Sequence, residues 1–260
     1  MAGREPKGGK KRPGRVYDPA QTREQLVGAG IELFGRQGFH ATSVREIVGA
    51  AGLTKGAFYH HFGSKEDLLH MIHDEFIEFH LAGQQLILEG VETPHERLYH
   101  LVRLLVLVVA EYTGQVSVYF QEHRALAGDE FADVHAKRRA ARKGFVEVIA
   151  EGVKQGDFRE DTEPGMAALA VLGMGNWVYQ WYPDGEGWSP EEIGRYYGLM
   201  ALRSLTAKPR VVTQLAKREP DAENDPVLKL LARRRQRPRP QLDQRPSTAW
   251  RAAMAPGSSK

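Results

Sequence analysis

The 260-residue chain contains no cysteine. That excludes a disulfide framework, a thiolate metal site and a cysteine nucleophile, and it suits a reducing, cytoplasmic setting. Long apolar runs are also missing. The longest lies near Leu104–Ala110, far short of the roughly 20 residues that cross a bilayer, so no membrane partner is expected. The first residues, MAGREPKGGKKRPGR, are basic but lack the apolar core of a signal peptide. Catalytic signatures are equally scarce. There is no G-x-S-x-G and no phosphate-binding P-loop. Gly173-Met174-Gly175 lacks the third glycine of a dinucleotide loop and sits inside a helical pattern. His95 and His100 stand five apart, which turns them about 140° away from each other on a helix, so they do not form a zinc-protease pair. His70 and His73 share a helix face near Asp74. That face reads as a partly exposed histidine pair before it reads as a metal site. No catalytic residue, cofactor or metal is assigned, and the chain reads as a binder, not an enzyme.

Charge is unevenly divided. Residues 1–15 carry +5 and residues 208–260 carry +8, whereas the stretch between them totals −10. Residues 1–19 are rich in Gly, Lys and Pro and are expected to form a disordered basic arm. Residues 208–260, with the run RRRQRPRPQ, are expected to form a disordered basic tail. Either tail can add nonspecific affinity for nucleic acid or serve only as a solvated extension. With 42% hydrophobic residues, the middle is long enough for a substantial core.

The densest information lies between Thr42 and Lys65, in TSVREIVGAAGLTKGAFYHHFGSK. Thr42-Ser43 offers an N-cap, and Glu46 completes a capping box with Ser43. Val44, Ile47 and Val48 make an apolar face. Gly49-Ala50-Ala51-Gly52 removes bulk and supplies a residue that tolerates positive φ, as a sharp corner needs. Thr54 caps a second helix, Lys55 to His61, and Ser64 with Asp67 caps a third. Two short helices across such a turn form a helix-turn-helix, whose second helix reads base edges. Thr42, Ser43, Thr54, Lys55, Tyr59, His60 and Lys65 are the candidate DNA contacts, and the small Gly56 permits close approach. The bland alternative is a surface helical hairpin.

With the preceding helix TREQLVGAGIELFGRQ and the following SKEDLL, this string closely resembles the DNA-binding domain of the TetR family of bacterial regulators, over roughly residues 20–80. The resemblance implies an all-α fold. Residues 20–80 would be the three-helix head, and residues 81–207 a helical domain for effector binding and dimerisation. It also implies a homodimer, a palindromic operator in double-stranded DNA and a small-molecule effector. Helices are expected from Ser64 to about Glu89, from Thr93-Pro94, and at 115–126, 129–155, 163–182 and 189–206. Leu98–Tyr112, apolar nearly all round, is expected at the centre of the second domain. The last two helices would be the family's dimer bundle, with Gly173, Gly175, Gly194 and Gly198 letting backbones approach.

A looser resemblance, carried by YFQEHRAL, QGDFR and NWVYQWY, points to a TetR subgroup controlling fatty-acid, aromatic-acid or steroid-ring degradation, in which several members sense acyl-CoA thioesters. On that resemblance Leu104, Leu105, Val108, Val109, Phe120, Trp177 and Trp181 would line an apolar slot. Arg124, Arg138, Arg139, Arg142 and Lys143 would meet phosphates. Plain core packing and a solvated helix face are the competing readings. The expected function is a repressor released from its operator by a small effector. A constitutive architectural DNA binder and a TetR-type regulator of drug efflux stay open at this point.

Overall fold

The computed structural model describes residues 18–122, 131–182, 187–218 and 223–235. Residues 1–17 of the expected arm, most of the C-terminal basic run, and Arg124 lie outside the described residues, while Asp18 and Pro19, also assigned to the arm, cap and open the first helix. Every regular element among the described residues is helical. The head comprises α1 (Pro19–Gln37), α2 (Val44–Ala50) and α3 (Lys55–His61), with the start of α4 (Lys65–Gly90). The body comprises the rest of α4, α5 (Pro94–Glu111), α6 (Thr113–Glu122), α7 (Ala132–Lys154), α8 (Pro164–Asn176), α9 (Val178–Trp181) and α10 (Pro190–Leu205). Two further helices follow, α11 (Pro209–Lys217) and α12 (Pro226–Arg235). No single helix is long and apolar enough to cross a membrane.

The helix starts follow local chemistry. Asp18, Ser43, Thr54, Ser64, Thr93, Glu163 and Ser189 each accept backbone N–H groups at an N-cap. Proline opens α1, α5, α8 and α10, where its missing N–H costs nothing. The corner between α2 and α3 closes as a Schellman motif. Leu53 N–H reaches Val48 O (2.8 Å), Gly52 N–H reaches Gly49 O (3.2 Å), and Gly52 takes φ +66°.

Two apolar clusters divide the interior. The head cluster gathers Leu26, Phe34, Ile47, Phe58, Phe62, Leu68 and Ile72, and extends to Val118 of α6 and Phe131 and Val134 beside α7. The body cluster is built around α5, which has thirteen buried residues. α10 lies closest to α5. Gly194 sits on the Arg103 backbone, and a Cβ at Gly198 would come within 2.7 Å of the Tyr99 ring. Head and body meet where α1 crosses α6. Gly114 is so close to Ile31 that a Cβ there would stand 2.8 Å from it. Glu122 Oε1 also accepts the Phe39 N–H at 3.0 Å.

Several expectations need correction. The segment 208–260 is not a featureless tail throughout. Val212 and Leu215 of α11 and Val227, Leu230 and Leu231 of α12 are buried in the body core. Apolar residues at helical spacing there were masked by the Pro- and Arg-rich composition around them. Asp225 caps α12 and forms a buried ion pair with Arg103 of α5. The expected helix 163–182 is broken at Trp177, and α6 starts at Thr113 after a 90° bend from α5. Three of the four glycines assigned to a dimer bundle instead face α5 of the same protomer: Gly175 against Leu105, Gly194 against Arg103 and Gly198 against Tyr99.

Candidate functional site

The head presents α3 outward. Phe58 is fully buried and fixes the helix by packing on Phe62, with ring centroids 5.6 Å apart. Thr54, Lys55, Gly56, Tyr59 and His60 are consequently exposed, Tyr59 by 56%. Thr54 Oγ1 accepts the Ala57 N–H at 3.2 Å, which leaves its own proton available to an acceptor outside the chain. These five residues of the expected reading set share one outer surface. Arg45 of α2 is also exposed and has no ion pair among the described residues. Its place between the capping Ser43 and Glu46 could have marked it as solvent-facing.

Three expected contacts are placed differently. Thr42 is 2% exposed, and its hydroxyl donates to Gly38 O at 2.7 Å. The Lys65 ammonium donates to Phe39 O (2.7 Å) and Thr42 O (2.8 Å) and lies 4.2 Å from the Phe39 ring centroid. Both side chains therefore hold the α1–α2 loop together, Thr42 with its only proton and Lys65 with two of its three donors. The Ser43 hydroxyl is exposed, but its proton goes to Glu46 (2.7 Å), and this bond is the largest cause of that carboxyl's lowered pKa.

The body holds a cavity of about 450 Å³ between α4, α5, α6, α7 and α8. Leu104 is not part of its wall, but Leu105, Val108, Val109 and Phe120, four of the seven expected slot residues, line it. Trp177 and Trp181 do not: Trp177 is 57% exposed, and Trp181 packs half-buried on the body core. The break at Trp177 turns the indoles off the α8 face that meets the cavity. Of the described cations, Arg138, Arg139 and Arg142 line the cavity and Lys143 does not. His135, Arg138, Arg139 and Arg142 are spaced i, i+3, i+4 and i+7 on α7, so one helix face carries all four. That spacing was legible in the sequence.

Arg139 and Arg142 are exposed at the rim, whereas Arg138 is half-buried. Its guanidinium lies 3.3 Å from the Tyr119 ring centroid and 5.7 Å from that of Phe120. Burial pushes its pKa down to about 10. Sequence reasoning missed His80, which is fully buried, stacks on Phe145 and has no partner for Nδ1. Burial, then the Arg138 charge, lowers its pKa to about 4. His73 is likewise buried against Tyr119, so it is not the partly exposed residue that the helix face suggested. Its pKa falls to about 3, from burial first and then Arg138. Both histidines are neutral near pH 7. On the outer face, His70, Asp74 and Asp133 bring ligand-type atoms within 4.8 Å of one another, but the Lys137 ammonium pairs with Asp74, Glu78 and Asp133 there.

Known proteins share this architecture. The family model for "Bacterial regulatory proteins, tetR family" matches residues 26–72, and that for "Tetracyclin repressor-like, C-terminal domain" matches residues 91–205. The HTH-type transcriptional repressor KstR2 of Mycolicibacterium smegmatis is 30% identical over 196 residues, covering 75% of this chain and 95% of that repressor. The solved structure of the ketosteroid transcriptional regulator KstR2 of Mycobacterium tuberculosis superposes with a TM-score of 0.68 at 26% identity, over 75% of this chain and 98% of that one. AibR, solved in complex with isovaleryl coenzyme A and operator DNA, gives a TM-score of 0.61 at 26% identity, over 69% and 97%. These relatives are regulators, and α12 lies beyond the residues that the family models match. The chain belongs to the TetR family of bacterial transcriptional regulators and is a DNA-binding regulator of that family.

Proposed function

We propose that the protein is a homodimeric repressor released from a palindromic operator when an acyl-CoA-like amphiphile enters the body cavity. The cavity itself carries the reading: an apolar wall of Leu105, Val108, Val109 and Phe120 leads to a rim holding Arg139 and Arg142. An acyl group suits such a wall, and phosphates suit exposed guanidiniums. AibR, a structural relative, was solved with a coenzyme A thioester and DNA.

Dimerisation is supported by the outer faces of α8 and α10. α8 is apolar nearly all round, yet Met166 and Leu169 are 67% and 48% exposed. Trp177, Tyr196 and Met200 extend the apolar surface. A helix apolar on every side requires cover, and a second copy supplies it. Two heads then present two α3 helices, with Thr54, Lys55, Gly56, Tyr59 and His60 facing the major groove and Arg45 facing a phosphate. Half-sites about one turn of DNA apart follow from the two-fold symmetry.

The test is selection of binding sites from random duplex DNA, followed by titration of the complex with acyl-CoA thioesters, free acids and CoA. A two-fold-symmetric site and release by thioesters alone are expected. Sequence-independent binding with steep salt dependence would favour an architectural binder and overturn the operator claim. Release by uncharged lipophiles, with no response to thioesters, would move the protein to the drug-sensing members.

A further inference from the structure

We propose that the effector carries a carboxylate on its apolar part, and that Arg138 with His80 forms the inner subsite that recognises it. This rests on the effector reading of the same cavity and deepens it.

Other buried or half-buried cations of the body have an acidic or carbonyl partner, Arg195 donating to Ala216 O. Arg103 pairs with Asp225, Arg97 with Glu151 at 2.8 Å, and Lys137 with Asp74 and Glu78. Arg138 has none among the described residues and rests on the faces of Tyr119 and Phe120. No Asp or Glu among the described residues lines the cavity. A half-buried guanidinium lining an apolar cavity without an anion carries a desolvation cost that a bound anion would offset.

An independent observation points the same way. His80 lines the cavity at 4% exposure, and its Nδ1 has no hydrogen-bond partner. Buried polar atoms without partners are rare, and His80 lines the cavity, where a ligand oxygen that displaces the present cover of Nδ1 can supply the partner. Neutral His80, in the tautomer protonated at Nδ1, donates one hydrogen bond. Arg138 donates two in parallel. Together they offer donors for the two oxygens of a carboxylate. The rim arginines belong to a different group: Arg142 stands one helical turn from Arg138 and is exposed. A head group held at the rim therefore leaves Arg138 unsatisfied, and a plain alkyl chain would leave both Arg138 and His80 unpartnered.

Four probes separate the possibilities: octanoate, suberate (its ω-carboxylated counterpart), octanoyl-CoA and suberyl-CoA. Each is titrated calorimetrically into the full-length dimer, wild type and the variants Arg138→Met, Arg138→Lys and His80→Leu. Wild type is expected to bind suberyl-CoA roughly ten- to a hundredfold more tightly than octanoyl-CoA, from one charge-assisted contact. In Arg138→Met that preference should fall to about twofold or less while octanoyl-CoA binding persists, and Arg138→Lys should restore part of it. His80→Leu should lessen it. Equal binding of the two thioesters by wild type, or a preference for octanoyl-CoA, overturns the proposal. Equal loss of both thioesters in Arg138→Met also overturns it, because Arg138 would then serve the head group. If suberate binds as tightly as suberyl-CoA, the thioester reading fails and the inner subsite stands. If none of the four binds, both fail.

Discussion

Replacing Arg138 by methionine should make the ligand-free protein more stable. The lowered pKa near 10 means that keeping the guanidinium charged in its half-buried place costs on the order of 3 kcal/mol. The Tyr119 face, 3.3 Å away, returns about 1–2 kcal/mol as a cation–π contact. Methionine keeps much of the side-chain length and can fill the same gap between Tyr119 and Phe120. The net gain is about 1–2 kcal/mol, which for a chain of this size raises the melting temperature by about 2–4 °C. Differential scanning calorimetry of wild type and Arg138→Met, without effector, measures it. A fall of 1 kcal/mol or more, or a melting temperature lowered by several degrees, would mean that Arg138 has an anionic partner in the free protein. The case for an unsatisfied inner cation would then be refuted. The same variant should lose effector-induced stabilisation by carboxylated thioesters, so stability and response move in opposite directions.

On the head, Lys55→Ala should weaken operator binding and reduce the slope of log affinity against log salt by about 1, as one lost phosphate contact does. Lys65→Ala should leave that slope unchanged while lowering thermal stability, because Lys65 serves Phe39 O and Thr42 O. Fluorescence anisotropy at several salt concentrations separates the two. Asp225→Asn keeps the helix cap but leaves Arg103, 4% exposed, without its counter-charge. Urea denaturation should show a loss of about 3–5 kcal/mol, and a loss below 1 kcal/mol would mean that α12 is not docked. His73 and His80 have pKa values of about 3 and about 4 in the folded state, below the ordinary value near 6.5. The unfolded chain therefore binds more protons as pH falls from about 6.5 towards 4. Stability is fully present above that window and declines within it, by about 3–4 kcal/mol between pH 7 and 5 for the two together. The double variant His73→Phe, His80→Phe should show a flatter profile; an unchanged profile would place the titration elsewhere.

Much of the fold was legible because local and global signals agree. The capping boxes at Ser43 and Ser64, the Gly52 corner and the buried stripe Leu68, Leu69, Ile72 and Phe76 each follow from spacing alone. α5 was legible as central because it is apolar on every side. What sequence could not separate was which way a polar side chain turns. Lys65 and Thr42 carry the donors a phosphate needs, yet the bend at Gly38, with φ +86°, brings loop carbonyls within their reach. Trp177 and Trp181 belong to a helical pattern that breaks between α8 and α9, so extrapolating one continuous helix aimed them at the wrong face. His80 was hidden by its neighbours, since a histidine on an apolar stripe has no sequence mark of being unpartnered. α11 and α12 were masked by composition: apolar residues that dock on a body already formed need only short stretches between prolines and arginines.

The most direct test of the central claim is the affinity of the full-length protein for its selected palindromic DNA with and without saturating suberyl-CoA. The account predicts a dimer on the free DNA, and a thioester-induced loss of affinity of at least about tenfold, since effector and DNA prefer different states and the coupling is reciprocal. An operator affinity unchanged by saturating thioester, in a protein shown calorimetrically to bind it, would contradict the claim that this cavity controls the reading head.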